Sequence, residues 1–180
     1  MGLYLGCPIW AFKGWVGSFY PKGTKPADFQ REYSLRLTTV EGNTTFYATP
    51  APGTIQRWVE ETPETFRFCP KLPRSISHAG KLVEHLQEAN QFLEVMSQLG
   101  SRLGPLFLQL PPPLLEDLRA FLKAWPPQAR LAVEVRYTGW FEALHGAQAF
   151  VFCHCPDERL DPRLCREFHR RVREKVPSPG

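Results

Sequence analysis

Nowhere in the 180 residues does an apolar run reach the roughly 18 residues that a membrane span requires, so no transmembrane helix is expected. The opening Met1–Gly6 lacks the basic start and small-residue cleavage site of a secretory signal. Position 6 is Gly, not the Ser or Thr of a myristoylation pattern. The five cysteines, Cys7, Cys69, Cys153, Cys155 and Cys165, are odd in number and include no C-x-x-C, which excludes a small disulfide scaffold. Reduced thiols in a soluble, cytoplasmic protein are expected. Charge of one sign is also scarce: 22 Lys and Arg against 18 Asp and Glu leave +4, with a pI near 8.9. That falls short of the dense basic stripe of a committed nucleic-acid binder. Internal repeats and low-complexity tracts are missing too.

Proline, by contrast, is abundant at 18 residues, about twice the usual share, and argues against long uninterrupted helices. Hydrophobic residues at 43% and charged residues at 22% are ordinary for a globular chain, so global disorder is excluded. The length suits one domain over 1–180 with a substantial core.

Short apolar runs alternate with helical patterns. Leu3–Cys7, Thr38–Glu41, Phe66–Lys71, Leu106–Leu110, Leu131–Arg136 and Ala149–Cys153 read as strands. Ala27–Leu37 reads as a short helix, and Ile55, Trp58 and Val59 mark one face of the next. Leu82–Leu99 carries the clearest helical stripe, closed by Gly100. Leu114–Trp125 is helical, and a last helix opens at Asp161-Pro162. Strands alternating with helices predict an α/β fold of parallel βαβ units, about six strands in all.

In such folds every strand's carboxyl end lies on one side, where sites are built. The runs here end in or near Trp10, in Glu41 and Asn43, at Lys71, at Gln109, at Glu134 and Arg136, and at His154. Period-two alternation puts Glu134 and Arg136 on one strand face. Plainer readings stand beside a catalytic one. Glu134 and Arg136 satisfy each other or join Lys71 in an ion network; Glu41 caps a helix or pairs with Lys71; Gln109 bonds a loop backbone. His154 sits between Cys153 and Cys155, but alternation throws the cysteines to the opposite face, so no metal site is expected. Ten aromatics fall within the first 50 residues, several in the loop Ile9–Pro21. That loop reads as a hydrophobic plug or as a surface that stacks on a sugar or base.

Several ordered motifs share a further property. Gly6-Cys7-Pro8-Ile9-Trp10 with Trp15 and Phe19-Tyr20-Pro21 comes first, then Val40-Glu41-Gly42-Asn43-Thr44-Thr45-Phe46-Tyr47. Phe66–Pro73 with His78 follows, then Leu103-Gly104-Pro105 with Gln109-Leu110-Pro111-Pro112, then Val133-Glu134-Val135-Arg136 with Trp140-Phe141. Over residues 3–141 this series resembles the YecE-like family, domain of unknown function 72. The resemblance implies a TIM-barrel-like architecture and leaves the chemistry open. The family commonly has an apolar residue where Gly42 stands, His where Tyr137 stands and Ser where Gly139 stands. Two further βα units usually precede the family's last strand, which 149–155 resembles. Here only 142–149 intervenes, so an internal deletion is suspected there, with the last strand and helix at 149–175. A full eight-stranded barrel needs about 250 residues, so an incomplete one is expected. Strand six would then lie beside strand one, leaving the fifth strand with a bare edge and self-association as a consequence.

The leading functional reading is acid–base chemistry on a small polar or anionic ligand. Glu41 or Glu134 would act as base, with Lys71 and Arg136 holding an anion. Asn43, Gln109 and His78 would orient the ligand, with Trp10, Tyr47 and Trp140 as aromatic contacts. Paired carboxylates also suit glycoside hydrolysis, and a buried Lys71 suits Schiff-base chemistry. No cofactor is implied. The alternatives are a non-catalytic remnant and a nucleic-acid or phosphodiester binder using the aromatic loop Ile9–Pro21 and the basic segment 157–175. That segment's seven cations against five acids read first as a solvated helix face.

Overall fold

A computed structural model describes residues 3–110, 115–134, 149–152 and 162–163. The described residues carry six strands: β1 (Leu3–Gly6), β2 (Thr39–Gly42), β3 (Arg67–Pro70), β4 (Leu106–Gln109), β5 (Leu131–Glu134) and β6 (Ala149–Phe152). Three pairings, β1 with β6, β2 with β3 and β4 with β5, are all parallel. Backbone bonds knit these pairs into one series. The Thr38 and Glu41 amides donate to Leu5 and Cys7 carbonyls, joining β2 to β1. The Gly104 amide donates to Phe68 and the Leu72 amide to Phe107, joining β3 to β4. The order is therefore β6-β1-β2-β3-β4-β5. Leu3 stands opposite Ala149, so β6 takes the place beside β1 that the family resemblance implies. Among the described residues β5 is paired with β4 alone.

Parallel neighbours need a crossover, and from β1 to β5 helices supply it between successive strands. They are α1 (Phe29–Ser34), α2 (Pro52–Glu61), the short α3 (Arg74–Ser77), α4 (Leu86–Ser97) and α5 (Leu115–Ala124). Proline opens α2 at the position where a missing amide costs least, and Ile55 and Trp58 bury its inner face. Ala89, Phe92 and Met96 form the buried stripe of α4. Shortly after its end, Gly100 turns the chain away with φ +57°, a left-handed value suited to glycine.

The helix expected over Leu82–Leu99 is not continuous. Leu82–His85 forms a 3₁₀ turn, and α4 begins only at Leu86. The Leu82 and Val83 amides donate to the carboxylate of Asp117 on α5, at 2.6 and 3.4 Å. That tertiary cap fixes the entry turn in a tighter geometry than the helix that follows.

The aromatic loop near the N-terminus belongs to the core. Trp15, Phe19 and Tyr20 are buried, and Trp15 stacks on Tyr33 at a 19° interplanar angle. The Tyr33 hydroxyl links two strands: it accepts from the Cys7 amide at 2.6 Å and donates to the Thr39 carbonyl at 3.0 Å. Burial pushes the Tyr20 phenol well above its ordinary titration range. Its hydroxyl donates to the Trp10 carbonyl at 2.5 Å. At Gly6 the strands approach so closely that a Cβ would lie 2.1 Å from the Thr39 carbonyl oxygen.

Candidate functional site

Strand registers decide which side chains share a face. Glu41 stands opposite Cys69 across β2 and β3, and Lys71 follows Cys69 two residues on. A single bridge sets Lys71 opposite Phe107, and Gln109, two residues later, stands opposite Glu134. Parallel neighbours in register point the same way, so Glu41, Lys71, Gln109 and Glu134 occupy one face at the strands' carboxyl ends.

At the centre of that face Lys71 Nζ lies 3.6 Å from Glu41 Oε1 and donates to Asn43 Oδ1 at 3.1 Å. Lys71 and Glu41 are both buried. The Phe46 and Phe107 rings flank the ammonium, with centroids 5.0 and 5.8 Å away. Each of these four groups is one that an ammonium binds. Asn43 opens a 3₁₀ turn, Asn43–Phe46, directly after β2. Thr45 clamps that turn to the end of β3: its hydroxyl lies 2.7 Å from both the Gly42 and the Lys71 carbonyls. The Asn43 amide also donates to the Pro8 carbonyl at 3.3 Å, tying the turn to the chain after β1.

Above the pair opens a cavity of about 470 Å³ lined by Asn43, Phe46, Tyr47, Lys71, Arg74, His78 and Gln109. That volume lies within the range of small-molecule sites. Five of the expected residues, Asn43, Tyr47, Lys71, His78 and Gln109, therefore meet around one space, and Glu41 is buried beneath it against Lys71. Glu134 is one strand further along, half-buried. Trp10 goes elsewhere: its ring meets Trp58 and Phe68 edge-on at 5.5 and 6.2 Å. Phe68 alternates with Cys69, so the indole packs on the face of β3 opposite that of Lys71. Arg136, Trp140 and His154 lie outside the described residues. Among the described residues no cluster of three His, Cys, Asp or Glu is placed to hold a metal ion. No helix there is long and apolar enough to cross a membrane.

Two lining residues were not anticipated, Phe46 and Arg74. Arg74 and His78 lie four apart, a spacing that brings side chains to one helical face, and α3 with its following residue delivers them together. The string Lys71-x-x-Arg74-x-x-x-His78 carried that signal. The Arg74 residue is exposed, and its side chain makes no hydrogen bond or ion pair among the described residues. His78 Nδ1 lies 2.7 Å from the Ser77 hydroxyl, and its ring meets Phe46 edge-on at 5.4 Å. The site is cationic on balance, since Glu41 offsets Lys71 and nothing described offsets Arg74.

Comparison with known proteins agrees with this arrangement of elements. The model of the family described as "Protein of unknown function DUF72" matches residues 4–146. The UPF0759 protein YecE of Escherichia coli K12 is 38% identical over 143 residues, 77% of this chain and 50% of that protein. The UPF0759 protein YunF of Bacillus subtilis is 36% identical over 69 residues, 38% of this chain and 23% of its own. Crystal structures of DUF72 family proteins from Enterococcus faecalis and Thermotoga maritima each align with a TM-score of 0.61, at 25% and 24% identity. They cover 79% and 78% of this chain, and 54% and 58% of the respective solved chains. The chain spans about half the length of the relatives it matches.

Proposed function

The chain belongs to the DUF72 family, and from that premise we propose that the cavity at the strand ends binds a small anion and moves a proton on it. The observation that carries this reading is the buried Lys71–Glu41 pair, with the lysine, and not the glutamate, lining the cavity. Glu41 is a positioning residue that holds Lys71 in place through charge. Arg74 supplies the second cation, as a planar fork suited to carboxylate or phosphate oxygens. His78, with one ring nitrogen engaged by Ser77, is the lining imidazole suited to proton transfer. Asn43 and Gln109 orient the ligand by their amides. The parallel registers and helical crossovers support a TIM-barrel-like arrangement, shortened from eight strands, and the buried cysteines Cys7 and Cys69, neither of them in a disulfide, suit a cytoplasmic setting.

Thermal unfolding with and without millimolar inorganic phosphate or a small dicarboxylate tests the reading. The anion raises the midpoint of the wild type and leaves that of Arg74→Ala unmoved. An equal rise in both proteins, or none in the wild type, counts against it.

A further inference from the structure

Tyr47 is out of keeping with the rest of the molecule. It is 81% exposed, although aromatic side chains ordinarily bury most of their area, and it stands on the cavity wall. Phe46 meets it at 88°, so among the described residues no ring lies parallel over the phenol. Phe46 is also one of the two rings that flank Lys71 Nζ, and both the ammonium and the Tyr47 ring lie about 5 Å from it. The stacking surface and the buried cation are thus separated by no more than twice that distance, inside one cavity. A ligand that stays small can touch both.

Resting on the anion-site reading above, we propose that the ligand is a phosphate monoester bearing a flat ring, of the nucleoside monophosphate type. Its phosphate would lie against Arg74 and Lys71, and its ring would stack on Tyr47. A tetrahedral dianion suits the donors better than a lone carboxylate does, because a fork of guanidinium N–H groups, an ammonium and the Gln109 amide present more donors than two oxygens need. The flat ring is called for by Tyr47, whose exposed phenol gains only when a planar partner covers it.

Calorimetric titration of the full chain with three probes decides the matter: inorganic phosphate, ribose 5-phosphate and adenosine 5′-monophosphate. The expected result is that the nucleotide binds about tenfold or more tightly than ribose 5-phosphate, in line with base–aromatic stacking elsewhere. Tyr47→Ala, a change at an exposed position, erases that advantage and leaves the two ring-poor probes unchanged. Arg74→Ala weakens all three together. If nucleotide and ribose 5-phosphate bind alike, or Tyr47→Ala leaves the nucleotide advantage intact, the ring assignment is overturned while the anion site stands. If none of the three binds, both readings fall.

Discussion

The ammonium of Lys71 sits 3.6 Å from the carboxylate of Glu41 across the β2–β3 pairing, and the two side chains keep only 10% and 5% of their surface in solvent. Desolvating two ions is costly, so removing either partner leaves a charge that the surroundings do not repay. Glu41→Gln is expected to lower the unfolding free energy by about 3 kcal/mol. Replacing both residues by apolar ones of similar volume recovers most of that loss. Urea unfolding of the single and double variants measures the two quantities, and an Glu41→Gln protein as stable as the wild type would show the pair to be solvated.

Tyr33 ties β1 to β2 through one hydroxyl. Tyr33→Phe keeps the ring packing and leaves the Cys7 amide and Thr39 carbonyl each short of a buried partner. A loss of about 2 kcal/mol follows, seen as a lower denaturation midpoint at unchanged m-value. Anion binding, which uses other residues, should survive in the folded protein.

Gly6 admits no side chain. Because a Cβ would overlap the Thr39 carbonyl, Gly6→Ala forces β1 and β2 apart and should cost about 1–3 kcal/mol or more. Gly53→Ala is the control: a Cβ there meets nothing within 4 Å, and stability should hold or rise. Parallel losses in both variants would contradict the close approach.

The Cys69 thiol is pushed up to about 12, chiefly by burial. Its folded-state value lies above the unfolded one, so the stability it contributes is complete below the ordinary thiol range near 9 and is lost as pH climbs from there towards 12. Unfolding free energy should therefore decline between pH 9 and pH 10.5, and less so in Cys69→Ala, compared with each protein's own value at pH 8. Alkylation of Cys69 at pH 8 should wait on unfolding. Rapid labelling of the native thiol would contradict its burial.

Local pattern carried the fold a long way. Alternating apolar runs and helical stripes specify strand–helix alternation because a half-buried strand must repeat every two residues and a half-buried helix every 3.6. The polar ends of those runs likewise marked Glu41, Lys71, Gln109 and Glu134 as residues of one side. Local pattern could not show how far a regular stripe is helical. The stripe from Leu82 is apolar throughout, yet its first turn tightens because Asp117, 35 residues away, takes its amides.

Partners were settled only in three dimensions. From its position alone Lys71 suited the carboxylate of Glu41 or that of Glu134 equally. The β2–β3 register put Glu41 within reach of the ammonium, and the β4–β5 register set Glu134 beside Gln109, one strand further on. Trp10, placed by sequence at a strand's end, was drawn to Trp58 and Phe68, where burying an indole gains more than exposing it at a rim. The sequence by itself determined the parallel α/β class and the side on which the polar groups gather, since both follow from periodicities within a few residues. Which of those groups face one another, and that Arg74 and Phe46 join them, was decided by register and packing between segments far apart in the chain.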